Sequence, residues 1–296
     1  MTSPTTGTTL PSRTIGDRTV SAIGLGGMPM SIEGRPDRER SVATIHASLD
    51  AGVTLIDTAD AYHLHADEVG HNETLIAEAL RTWDGDRDGV LVATKSGHLR
   101  PGDGSWTQDG SPEHIKAATK ASAQRLGVEA IGLHQLHRPD PAVPYAESVG
   151  ALADLLDEGV IRMAGISNAT TAQIREAQQV LGGRLVSVQN QFSPSFRSSA
   201  DELRLCDELG IAFLPWSPLG GISSASELTP GLAPFARVAE AHGVTPQQVT
   251  LAWLLATSPV VVPIPGSSRP ETARASAEAA TLRLSPDEVA ALDATD

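Results

Sequence analysis

Eight short apolar runs recur along this chain, with stretches of amphipathic helical spacing between them. In order they are "RTVSAIGLG", Val53–Asp57, "GVLVATK", "IGLHQLH", "VIRMAGIS", "RLVSVQNQ", "IAFLPWSPLG" and "VVVPIPG". The runs are apolar on both faces, which suits parallel strands covered by helices. Eight such units in ~250 core residues favour an α/β fold of the (β/α)8 TIM-barrel type over a doubly wound open sheet. Helices are expected over about residues 38–51 and 72–81, and after the Ser111-Pro112-Glu113 start signal. Further helices are expected in "YAESVGALADLLDEG", "TAQIREAQQVLGG", "SADELRLCDELG", "PQQVTLAWLLATS", "RPETARASAEAA" and "SPDEVAALDA". "RTIGDRTVSAI" reads as a short N-terminal β-hairpin that turns at Gly16-Asp17 and closes the barrel floor. Residues 1–12 are polar and Thr-rich, without the basic and apolar regions of a signal peptide, and are expected to be a disordered tail. No linker interrupts residues 13–296, so a single barrel domain is expected.

Composition narrows the partners. Asp and Glu number 36 against 22 Lys and Arg, a formal charge of −14, and such a surface repels nucleic acid and anionic lipid. No apolar run approaches the ~20 residues that span a bilayer. Cys206 is the one cysteine, so no intrachain disulfide can form, and a cytoplasmic location is the default. Helical spacing sets it beside Leu203 and Leu209 as a packing residue. Nothing in the sequence sets an oligomeric state.

In such a barrel, chemistry collects where the strands end. Strand two ends at Asp57 in "IDTADAY", with Tyr62 five residues later; strand three ends at Lys95 and strand four at His137. Strand five ends at Ser167 and Asn168, strand six at Gln189, strand seven presents Trp216, and strand eight runs into Arg269. A free phenol releases its proton only near pH ~10, and a neighbouring ammonium lowers that value. Lys95 is placed to do so, with Asp57 holding Lys95 charged and His137 orienting a carbonyl oxygen by donating a hydrogen bond. The four groups read as an acid assembled to protonate a carbonyl.

The ordered set "IDTADAY", "VATK", "LHQLHRPD", "GISN", "VQNQFS", "PWSPLGG" and "IPGSSRPE" resembles the aldo-keto reductase family from about Arg13 onward. The resemblance implies the family's barrel and NADPH-dependent reduction of a small-molecule aldehyde or ketone. It makes Tyr62 the general acid, tuned by Lys95 and Asp57, with His137 aligning the carbonyl. Family members commonly have an aromatic residue at the position of His134, which is therefore not assigned to catalysis. Ser167, Asn168 and Gln189 match residues that hold the nicotinamide carboxamide, and Trp216 matches the aromatic stacked on its ring. Ser217, Pro218, Leu219 and Gly220 match the pyrophosphate lining, while Gly26, Gly27, Met28, Asp57, Ile264 and Gly266 would lie beside the cofactor. Ser267, Ser268 and Arg269, beside a helix start, offer a 2′-phosphate site, so NADPH is expected ahead of NADH. Three departures loosen that grip: Gly266 stands where many members have Lys, Thr272 where Arg is frequent, and Ser276 where Asn is usual.

The substrate end is less specified. Aromatic residues are 3% of the chain, against a broad aromatic pocket, and no long C-terminal loop follows "SPDEVAALDATD". An open pocket is expected. The insertion "SGHLRPGDGSWTQDG" after Lys95 is either a substrate-shaping loop with Trp106 as its contact or a mobile surface loop. "GLGGMP" fails as a dinucleotide fingerprint, because Pro29 occupies the third glycine position. His63, His65 and His71 suggest metal ligation, but Ser167, Gln189 and Gly266 at the strand ends argue against a metal-dependent hydrolase, and no metal is expected. A second reading is a nucleotide-binding, redox-sensing scaffold with little turnover.

Overall fold

The computed structural model describes residues 10–221 and 233–295. Of the expected tail, residues 1–9 lie outside that range, while Leu10 packs against the core and Ser12 already opens a strand. The strands are β1 (Ser12–Ile15), β2 (Arg18–Ser21), β3 (Leu25–Gly26), β4 (Leu55–Asp57), β5 (Leu91–Ser96), β6 (His98–Leu99), β7 (Thr107–Gln108), β8 (Ile131–Leu136), β9 (Ile161–Ser167), β10 (Leu185–Gln189) and β11 (Ala212–Phe213). The helices are α1 (Arg38–Asp50), α2 (His71–Thr82), α3 (Pro112–Leu126), α4 (Tyr145–Asp157), α5 (Thr171–Val180), α6 (Ala200–Leu209), α7 (Ala233–His242), α8 (Pro246–Thr257), α9 (Pro270–Glu278) and α10 (Pro286–Asp293).

A parallel sheet runs in the order β3-β4-β5-β8-β9-β10-β11, and residues 260–266 close it into a TIM barrel. The closing segment is the "VVVPIPG" run, and its prolines explain why it pairs through isolated bridges instead of a continuous ladder. Val262 and Ile264 donate to Phe213 O and Pro215 O on one side. On the other side Pro263 and Pro265 have no N–H and only accept, from Gly24 and Gly26. The first run also divides: β2 belongs to the hairpin, and only β3 enters the barrel.

Strand parity sorts the core. Leu55, Leu91, Ala93, Leu133 and Met163 face the barrel interior, while Val92, Ile45, Leu49, Ile76 and Ala79 pack between the sheet and α1 and α2. The β1–β2 hairpin turns at Gly16-Asp17 and drives Ile15 and Val20 into the interior cluster, filling the barrel floor. Gly16 has φ +57°, and a Cβ there would lie 2.7 Å from Met163 Sδ, so both conformation and space call for glycine. Helix starts follow local chemistry: Asp37, Ser111, Thr170, Thr245 and Ser285 each accept from an N–H in the first turn. Helix α7 is not among the helices expected from sequence, although Phe235 and Ala239 mark its buried face.

Ile15→Ala removes a wholly buried side chain from the barrel floor. Denaturant unfolding should show a loss of about 2–5 kcal/mol, with the native fold retained.

Candidate active site

The parity that buries Leu55, Ala93 and Leu133 continues upward and turns Asp57, Lys95 and His137 into the same end of the barrel. On β10 a register shift between Leu185 and Ser187 reverses the alternation, so Val186 joins the interior near the floor and Gln189 reaches Asp57 above it. Past β4 the chain keeps pairing with β5, through Thr58 N to Ala93 O and Asp60 N to Lys95 O, before turning at Ala59–Tyr62. That turn folds the Tyr62 phenol back over Lys95.

Lys95 is wholly buried, and Nζ donates to Asp57 Oδ2 at 2.7 Å, Thr58 O at 2.8 Å and the Tyr62 hydroxyl at 3.0 Å. These three acceptors use every ammonium proton. Gln189 Nε2 donates to the other Asp57 oxygen at 2.8 Å. Burial works against the Lys95 charge, but Asp57 and Tyr62 outweigh it and hold its pKa above the ordinary value. The expected lowering of the Tyr62 pKa is not the net result. Burial raises the phenol above its usual value, Lys95 opposes this, and the Asp57 charge adds to the rise. Tyr62 therefore stays protonated at neutral pH.

His137 stands edge-on to Tyr62, ring centroids 5.7 Å apart, and its backbone N–H donates to Ser96 O at 2.9 Å. Burial first, then the charge of Lys95, pulls its pKa well down, leaving a neutral ring. His134 points the other way, toward α3, where Nε2 meets Ser96 Oγ at 2.9 Å and Thr119 Oγ1 at 3.1 Å.

A cavity of about 640 Å³ opens beside this group. Gly26, Met28, Asp57, Tyr62, His137, Ser167, Asn168, Gln189, Trp216, Ser217, Pro218, Leu219, Ile264 and Gly266 line it, with Trp106 at the outer wall. Gly27, Lys95 and Gly220 are not on its surface, and Ser267, Ser268 and Arg269 lie outside it. Asn168 Nδ2 donates to His137 O and Ser167 Oγ, both at 3.0 Å, and its φ of 57° is one that Asn tolerates. Ser167 Oγ donates to Gln189 O at 2.7 Å. Backbones approach closely at the other wall: a Cβ on Gly26 would sit 2.8 Å from Ile264 O, and one on Gly266 2.7 Å from Pro29 Cγ. A lysine at position 266 would thus displace Pro29. The Ser267 hydroxyl is spent within its own turn, on Arg269 O at 3.0 Å and Thr272 Oγ1 at 2.5 Å. Arg269 is exposed, with Nε 3.7 Å from Glu271 Oε1.

Sequence reasoning did not identify Pro29, Ile32, Glu33, His98, Gln108, Arg138, Gly221 or Pro265 as lining. It also passed over Gln135, although the 133-135-137 parity points it inward, beside Ser187 Oγ. The support beneath went unread as well. Buried Asn72 ties Thr58 Oγ1 at 2.6 Å to Gly27 O at 2.8 Å, and Glu73 joins Thr94 Oγ1 to Arg125 Nε at 2.6 Å. The insertion after Lys95 carries the β6–β7 hairpin, with Trp106 stacked on His98 at 4.7 Å and beneath Arg100 at 4.9 Å. His63 Nδ1 meets His65 O, and His71 Nδ1 meets Ser31 Oγ. Among the described residues no group of three or more His, Cys, Asp or Glu side chains is placed to hold a metal, and no helix is long and apolar enough to cross a membrane.

The model of the Aldo/keto reductase family matches residues 22–296. The chain belongs to the aldo-keto reductase family. An uncharacterized oxidoreductase of Schizosaccharomyces pombe is 36% identical over 283 residues, spanning 94% of this chain and 88% of the relative. Pyridoxine 4-dehydrogenase of Escherichia coli is 32% identical, over 95% of this chain and 96% of its own. The crystal structure of a Klebsiella pneumoniae aldo-keto reductase in complex with NADPH superposes with a TM-score of 0.79 at 29% identity, covering 97% and 95% of the two chains. This aldo-keto reductase is accordingly an oxidoreductase whose chemistry is NAD(P)H-dependent carbonyl reduction.

Burial, and then the charge of Lys95, hold His134 at a pKa of about 3. An unfolded imidazole takes its proton near pH ~6.5, so between these values the unfolded chain binds more protons and stability falls as pH drops. At pH 5 this one ring costs about 2 kcal/mol. Urea unfolding of His134→Gln should lose less free energy between pH 7 and pH 5 than wild type does.

Proposed function

We propose that this chain is an NADPH-preferring reductase of aldehydes or ketones, working as a single catalytic domain in the cytoplasm, with Tyr62 as the proton donor. The observation that carries this reading is the Lys95 ammonium, which gives one of its three hydrogen bonds to the Tyr62 hydroxyl. Because Lys95 donates there, the hydroxyl proton is left to point into the cavity, where a carbonyl oxygen would accept it.

The walls suit a nicotinamide nucleotide. Ser167, Asn168 and Gln189 form a polar corner for a carboxamide, Trp216 offers a flat face, and Gly26 and Gly266 leave room for close approach. When bound, the reduced nicotinamide supplies the hydride to the carbonyl carbon. Neutral His137 orients the carbonyl oxygen by a hydrogen bond toward the phenol, and Tyr62 delivers its proton as negative charge develops there. Lys95 stabilises the phenolate left behind, and Asp57 keeps Lys95 charged and aimed. Ser217, Pro218 and Leu219 would line the pyrophosphate, with Gly220 and Gly27 supporting the wall from behind. Arg269 and Ser268, at the start of α9, would face the 2′-phosphate, while the Ser267 hydroxyl holds the turn that presents them. The buried, unpaired Cys206 suits a reducing compartment.

Loss of nucleotide absorbance in the near ultraviolet, with a reactive aromatic aldehyde, tests the reading directly. Tyr62→Phe should lower kcat by about 10²–10⁴-fold with nucleotide binding retained, and wild-type turnover in that variant would remove the acid assignment. Arg269→Ala should raise KM for NADPH about tenfold, the weight of one charged hydrogen bond, with little effect on KM for NADH. Equal changes for both nucleotides would take the 2′-phosphate away from Arg269.

A further inference from the structure

The charges around the cavity do not balance. Asp57 is matched by Lys95, and Glu33 is paired with Arg100. The remaining charged residue on the wall is Arg138, half-buried directly after His137, and it has no carboxylate partner among the described residues. The acid nearest in sequence, Asp140, is turned away: its two oxygens accept from Gly110 N and Ala142 N, each at 2.9 Å. The charge of Arg138 reaches both imidazoles that face it, His98 and His137, helping to keep them neutral and so unable to serve as its partners or rivals.

We infer that Arg138 is a docking point for a carboxylate carried by the carbonyl substrate, so that the cavity favours anionic aldehydes and ketones over neutral ones. This rests on the reductase reading. Arg138 follows the fourth barrel strand, whereas Ser217–Leu219 and Gly266–Arg269 follow the seventh and eighth. In a ring of eight strands the fourth and eighth lie opposite each other, which places Arg138 across the mouth from the nucleotide phosphates. A group held there sits beside His137 and under the His98–Trp106 wall, on the side where the substrate must enter. A guanidinium matches a carboxylate with two parallel N–H···O bonds. A dianionic phosphate fits less well, because among the described residues no second cation joins Arg138 on the wall and Glu33 lies on it.

The test compares 4-carboxybenzaldehyde with its methyl ester, two aldehydes of similar shape that differ in charge, using NADPH and the full-length protein. Wild type should show kcat/KM at least tenfold higher for the acid, with the advantage shrinking as salt is raised. In Arg138→Gln the acid-to-ester ratio should fall toward one, and Arg138→Lys should recover part of it. A wild-type ratio near or below one, or a ratio unaltered in Arg138→Gln, overturns the inference. So does an Arg138→Gln variant whose main change is a higher KM for NADPH. If wild type turns over neither aldehyde, the reductase reading falls on its own, and calorimetry with the oxidised-nucleotide complex decides the charge question. Tighter binding of 4-carboxybenzyl alcohol than of its methyl ester, by fivefold or more, then supports the docking point, and equal binding removes it.

Discussion

The buried pair of Lys95 and Asp57 is the contact on which the rest of the site depends. Taking an ammonium and a carboxylate out of water costs several kcal/mol for each ion, and attraction alone does not reliably offset that. Here every ammonium proton has an acceptor, and the second carboxylate oxygen takes the Gln189 amide. The phenol of Tyr62 is one of those acceptors, so the site cannot satisfy its lysine without also fixing its tyrosine. Under the proposed role of Tyr62, electrostatic support for a developing phenolate would be built before any substrate arrives and would need no reorganisation during reaction.

That geometry needs a stiff frame, and the frame is polar as well as apolar. The "IDTADAY" turn is pinned below by Thr58 and Asn72, and Asn72 ties it on to Gly27 at the cavity wall. Glu73 on α2, buried and bonded to Thr94 and Arg125, links β5 to α3 behind the same turn. Removing one partner from such a network leaves another buried and unsatisfied, which is costlier than losing the bond itself. The neutral histidines belong to the same logic. His137 stays uncharged in a site that already holds a buried cation, which suits the carbonyl-orienting role proposed for it.

The cavity wall formed by the insertion after Lys95 is built differently. A short hairpin, β6–β7, carries Trp106 between His98 and Arg100, and Arg100 is in turn paired with Glu33 from the loop after β3. The wall is thus assembled from side-chain stacking and an ion pair between two loops. Such a wall can vary in sequence without disturbing the barrel, which is how one scaffold supports differing substrate preferences.

Much of this was written in the chain itself. Two-sided apolar strands alternating with amphipathic helices specify a helix-covered parallel sheet, and eight such units in one domain favour its closure into a barrel. Period-two alternation then places Asp57, Lys95 and His137 above Leu55, Ala93 and Leu133 and sends His134 outward, because a strand has only two faces. Local pattern was blind to whatever depends on a break in that period or on a meeting of distant segments. The shift on β10 that turns Gln189 inward, the proline-interrupted closure at residues 260–266, and the Glu73–Arg125 pair are all set by how the elements dock. The same holds for the protonation of Tyr62. Sequence puts a lysine within reach of the phenol, but burial acts on the same group in the opposite direction, and only the packed barrel decides which of the two prevails.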